Sequence, residues 1–154
     1  MNLKDFIYAK TGIAADLTRL AHDPDGQALV ASLMALVAGS DGGISTEETT
    51  RMVQMLQDQF NLTSGSAIDL VERAEHGFDS ETDLDGLIKN INEELSLAHK
   101  EKLMAMVLHI ISADDRKVAE EMRLLAILVD RMNMPDKVME RAYARYFQEK
   151  KEQD

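Results

Sequence analysis

Two short acidic stretches hold the side chains best suited to chemistry. The first is Ser40-Asp41-Gly42-Gly43-Ile44-Ser45-Thr46-Glu47-Glu48 and the second Ala113-Asp114-Asp115-Arg116-Lys117-Val118-Ala119-Glu120-Glu121. Carboxylates and hydroxyls at this density offer only hard oxygen donors, the ligand type that Ca2+ and Mg2+ accept without help from His or Cys. Asp41 and Glu48 in the first stretch, with Asp114, Asp115 and Glu121 in the second, are the candidate metal ligands. From Asp41 onward the first stretch matches the second half of an EF-hand loop, with Asp41 at loop position five, Gly42 at six, Ile44 at eight and Glu48 at twelve. Loop positions one and three fall on Val37 and Gly39, which carry no side-chain oxygen. A high-affinity EF-hand is therefore not expected, and a loose, weak site is what the donors allow.

The same residues have a second reading as helix starts. Ser45 with Glu48 three residues on forms a capping box, and Glu47, Glu120 and Glu121 oppose the positive end of a helix dipole. Asp41 can accept hydrogen bonds from turn amides. Both readings need the acidic stretches to join helices, and the flanking sequence supplies them. Gln27 to Ala38 is almost wholly apolar apart from Ser32, the pattern of a central helix packed on several sides. Gly39, Gly42 and Gly43 end it. Met52, Val53, Leu56 and Phe60 then form the buried stripe of the next helix, with Met55 at its edge.

Elsewhere the spacing of apolar residues predicts further helices and no strand. Leu3, Phe6 and Ile7 mark a short first helix interrupted at Gly12, with Ile13, Ala14, Leu17 and Leu20 continuing the stripe. Asp23 is the N-cap before Pro24. Thr63 caps a helix that Gly77 closes, and Ser80-x-x-Asp83 introduces one through Leu87, Ile88, Ile91 and Leu95. Ser96 caps a long apolar helix through Leu103, Met106, Val107, Ile110 and Ile111. Leu124, Leu125, Leu128 and Met132 face inward on its successor. Val138, Met139, Ala142, Tyr143 and Tyr146 line one side of the last helix, whose end frays beyond Phe147. The expectation is an all-α, compact bundle of seven or eight helices in a single domain spanning residues 1–154.

The chain also repeats itself. Met52-Val53-x-x-Leu56-x-x-x-Phe60-Asn61-Leu62 aligns with Leu124-Leu125-x-x-Leu128-x-x-x-Met132-Asn133-Met134 at a constant offset of 72, which places Glu48 on Glu120. Upstream, Leu36-Val37-Ala38 aligns with Ile110-Ile111-Ser112 at an offset of 74. The copies run from about 27 to 62 and from about 101 to 134. Duplicated helix pairs bury their apolar faces against each other, an arrangement that can bring the two acidic turns, and Asp41 and Asp115 in particular, together.

Bulk composition narrows the function. There is no Cys, so disulfides, thiolate catalysis and Cys-ligated metals are excluded. The four His do not form a metal set; His109, among Leu108, Ile110 and Ile111, reads as a hydrogen-bonded core residue. No HExxH, GxSxG or phosphate-binding glycine motif occurs. The net charge of −11 repels nucleic acid and anionic lipid and favours cations or basic partners. The longest apolar run is about half a membrane span, and the first residues do not resemble a signal peptide. A cytoplasmic protein that is not an enzyme and does not insert into membranes is expected.

The two stretches, taken with the apolar helices before them, resemble the tellurite-resistance protein B family, the TerB-like domains. That family's pattern is an apolar helix, a serine or alanine, Asp-Gly, a small apolar residue, a spacer and Glu-Glu, with a weaker second copy. Ser40 to Glu48 fits it well. Ala113 to Glu121 fits in part, with Arg116 where glycine is usual if Asp115 is matched, or Asp115 there if Asp114 is. The resemblance implies an all-helical bundle with internal duplication and an acidic surface for divalent cations. It also implies bacterial stress or metal-resistance systems, with protein partners that are sometimes membrane-associated. The function expected is a non-enzymatic acidic binding module engaging a divalent cation or a basic protein partner through its two turns. Alternatives are a scaffold or oligomerisation protein with purely structural carboxylates, and a metal-dependent hydrolase.

Overall fold

Local signals at the ends of each element decide where the chain coils. The computed structural model describes residues 2–13, 23–40, 43–79, 84–113 and 118–153, the side chains of 78, 79, 118, 120 and 153 excepted. Among these residues it forms eight α-helices and no strand: α1 Leu3–Thr11, α2 Pro24–Ala38, α3 Thr46–Phe60, α4 Ser64–Asp79, α5 Leu84–Glu94, α6 Leu97–Ala113, α7 Val118–Arg131 and α8 Asp136–Gln153. Asp23 caps α2, accepting from the Asp25 N–H at 3.2 Å, with Pro24 in the first turn. Thr63 Oγ1 accepts from the Ser66 N–H at 3.2 Å to start α4, and Ser96 Oγ from the His99 N–H at 3.2 Å to start α6. Gly12, at φ 75°, ends α1 in the left-handed conformation that glycine adopts without strain.

The core is organised by α2 and α6, which pack on each other and are buried along nearly their whole lengths. Around them, α2 touches α3, α4, α5 and α7, while α6 touches α1, α3, α7 and α8. The exchange is reciprocal: α3, which follows α2 in the chain, also packs on α6, and α7, which follows α6, also packs on α2. Leu33, Met34, Met52, Leu56, Ile91, Leu103, Met104, Ile110, Leu125, Leu128 and Met132 are the largest apolar side chains wholly removed from water. With so few aromatics, the interior is closed by Leu, Ala and Met, whose straight or small side chains also favour helix.

Four details depart from expectation. Leu3, Phe6 and Ile7 do not face the bundle; they are exposed, and Tyr8 is the buried residue of α1. Gly77 does not close α4, which runs on to Asp79; a glycine so near a helix end costs only about 1 kcal/mol relative to alanine. Tyr143 is exposed rather than part of the inward side of α8. Nor does α8 fray beyond Phe147, because Glu149 reaches back to His109 at 3.3 Å and Lys150 lies over the Tyr146 ring. The expected start at Ser80 and Asp83 and the stripe through Ala14, Leu17 and Leu20 lie outside the described residues.

Candidate functional site

Each acidic stretch delivers a glutamate into the interior at the start of the helix it precedes. Glu48 is 0% exposed. Its Oε1 accepts the Ser45 N–H at 3.0 Å, and its own N–H donates to Ser45 Oγ at 3.1 Å. That reciprocal pair is the expected capping box, and it pins the exit of the first turn onto α3. Glu121, in the first turn of α7, is likewise 0% exposed. A carboxylate is tolerated there because the unpaired amides at a helix start place positive charge beside it, whereas an isolated buried charge would cost far more.

Glu121 is one residue past Glu120, the position that the offset of 72 pairs with Glu48; the Glu120 side chain is outside the described residues. Along α3 the buried face runs Glu48, Met52, Leu56, Phe60 in steps of four, and along α7 it runs Glu121, Leu125, Leu128, Met132 in steps of four, three and four. Past this one-residue difference the offset of 72 holds. Asn61 and Asn133 follow their helices at φ 54° and 55°, and the Leu62 N–H bonds Gln57 O as the Met134 N–H bonds Val129 O, at 3.2 and 3.1 Å.

Of the five candidate ligands, Glu48 and Glu121 are thus placed as buried carboxylates, while Asp41, Asp114 and Asp115 lie outside the described residues, as does the Asp41 to Asp115 separation. Val37, at the first EF-hand loop position, is a wholly buried core residue inside α2, so no such loop exists there. Among the described residues no group of three or more His, Asp or Glu is gathered closely enough to hold a metal ion.

A second set of buried polar groups runs along α6, and apart from His109 sequence reasoning missed it. Glu101 is buried and accepts from Arg141 Nε at Oε1 and from Arg145 Nη2 at Oε2, both at 3.0 Å. Arg141 also donates to Tyr8 O at 2.8 Å and stacks over the Tyr8 ring. Burial first, then the hydrogen bond and charge of Glu101, push the Tyr8 phenol up to about 12. Lys100 Nζ donates to Asn92 Oδ1 at 2.8 Å and to Met132 O at 3.1 Å, closing the end of α7. Burial holds the Lys100 ammonium below the usual lysine range, with Asp5 opposing. His109 is the buried, hydrogen-bonded residue expected, meeting Glu149 and the edge of Tyr146. Burial lowers its pKa; Glu149 opposes the shift, and Arg51 of α3 and Lys150 add to it. The signal was available: charged residues on a helix apolar all round must be buried and matched, and Arg141-x-x-x-Arg145 supplies the match on one side of α8.

The model of the family described as tellurite resistance protein TerB matches residues 27–144. The chain belongs to that family. The TerB match spans both acidic stretches, the buried Glu48 and Glu121, and the Glu101–Arg141 pair, and it leaves α1 and the end of α8 outside. TerB membership makes the chain a tellurite-resistance-related module built on an all-helical domain that is in general non-catalytic. No curated protein and no solved structure matches the chain. Among the described residues, no helix is long and apolar enough to cross a membrane.

Proposed function

We propose that this TerB-family chain is a single-domain, non-enzymatic acidic binding module of a bacterial stress or metal-resistance system, acting in the cytoplasm. Its two helix–helix turns engage a divalent cation weakly, or a basic surface of a protein partner. Asp41 and Glu48 act from the first turn and Asp114, Asp115 and Glu121 from the second. The observation that carries this reading is the pair of buried glutamates at corresponding helix starts. Each of these glutamates stands where the acidic stretch passes into the helix that follows it. Reciprocal packing of α3 on α6 and α7 on α2 favours neighbouring turns. So does the effect of Arg51, early in α3, on His109, late in α6. The donor set is all oxygen, which suits Ca2+ or Mg2+ and not a soft metal.

The test is amide NMR of the full chain during titration with CaCl2 and then MgCl2. Shifts at Asp41, Glu48 and Asp115 at millimolar metal are expected, and Asp41→Asn with Asp115→Asn should abolish them. Spectra unchanged by metal would end the cation reading. The capping box favours one competing account, a scaffold whose carboxylates only hold helix starts. On that account the same two substitutions leave both the spectra and partner capture unaltered.

A further inference from the structure

α1 leaves most of its apolar surface outside the bundle. Its inward side holds Tyr8 in the core with Ala9 against it, and two polar ties: Asp5 Oδ1 accepts the Leu97 N–H at 2.9 Å, and Tyr8 O accepts from Arg141. Its outward side is apolar, with Leu3 72% exposed, Phe6 51% and Ile7 43%, and Ile13 just beyond Gly12 is 68% exposed. Leu3, Phe6, Ile7 and Lys10 stand at i, i+3, i+4 and i+7 and so share one face. Lys4 and Lys10 are both exposed, and Lys10 Nζ lies 5.6 Å over the Phe6 ring. The only carboxylate of the helix, Asp5, is committed to α6, so the outer face is apolar and cationic in a chain of net charge −11.

We propose that this face of α1 seats on the surface of an anionic lipid bilayer. Leu3, Phe6 and Ile7 enter the acyl boundary while Lys4 and Lys10 meet the lipid phosphates, the division of labour of an interfacial helix. Charge selects the occupant. A second copy docked through the same face would set lysines against lysines, whereas phosphates complement them. Screening over about 10 Å at 0.1 M salt keeps the acidic remainder of the molecule from deciding the contact. The links to Leu97 and Arg141 hold the helix with its apolar side outward, so no refolding precedes adsorption. With so few apolar side chains, attachment is weak and reversible, as for a single acyl chain. The TerB match starts at residue 27, so this is a property of the flanking helix and not of the matched region.

Flotation of the full chain with vesicles of phosphatidylcholine containing about 30 mol% phosphatidylglycerol tests this, against phosphatidylcholine alone. Binding should require the anionic lipid and fall at about 0.5 M NaCl. Leu3→Ser with Phe6→Ser should cut the floated fraction roughly tenfold. Melting should not change, because both side chains are already exposed. Lys4→Gln with Lys10→Gln should remove the preference for the anionic lipid. Absence of flotation at millimolar lipid would overturn the proposal and leave the face to an acidic protein groove. Flotation indifferent to Leu3→Ser with Phe6→Ser would overturn it too. So would a change in the sedimentation mass of the lipid-free chain on those substitutions, which would assign the face to a second copy.

Discussion

Glu101 is one carboxylate with two guanidinium partners, and through Arg141 it ties α1 to α8. Its influence extends to the Tyr8 phenol, held at about 12 chiefly by burial and then by Glu101. An unfolded tyrosine ionises near 10. The unfolded chain therefore gives up this proton first as pH rises, and the stability that Tyr8 contributes is whole below pH 10 and is lost as pH climbs towards about 12. Urea denaturation at pH 9 and 11.5 should show the wild type losing about 2 kcal/mol more than Tyr8→Phe across that window. Parallel losses in the two proteins would mean the phenol is already solvated in the native state.

Helix ends, more than helix interiors, distinguish the elements. Asn61 and Asn133 hold the left-handed conformation at matching places, where a β-carbon is costly for most residues and asparagine only partly escapes the cost. Asn61→Gly and Asn133→Gly should each leave stability unchanged or raise it by up to about 1 kcal/mol, while Asn→Ala at either site should cost about 1 kcal/mol, read by thermal melting. A cost for glycine equal to that for alanine would show that the asparagine side chains, not their backbone, are needed. The legibility of the elements followed the same division. Caps at Asp23, Ser45, Thr63 and Ser96 were readable because a side-chain oxygen bonds an amide two or three residues away. The persistence of α8 past Phe147 was not, since Glu149 finds its partner 40 residues back on α6.

At the scale of the molecule, the charge of −11 and the proposed cation site make separable demands. Any salt relieves self-repulsion and raises the melting temperature modestly. A site that binds the folded chain adds RT ln(1 + [L]/Kd), about 1.4 kcal/mol at ten times Kd, or roughly 3–5 °C for a chain of this size. Melting curves in CaCl2 should therefore lie above those in NaCl at matched ionic strength, and Asp41→Asn should bring them together. Superimposed wild-type curves would reduce the acidic turns to a contribution to net charge.

Periodicity, capping pairs and residue types settled the all-α class, the central place of α2, the capping box at Ser45 and Glu48, and membership of the TerB pattern, because each depends on residue types and contacts between near neighbours in the chain. Which face a residue shows depends on distant partners, and there only the tertiary structure decided. It buried Glu48 and Glu121, both charged, at the starts of α3 and α7. It matched Glu101 to arginines 40 and 44 residues away. It turned Leu3, Phe6 and Ile7 outward because the other side of α1 is held to the bundle, Asp5 by the Leu97 N–H and Tyr8 O by Arg141.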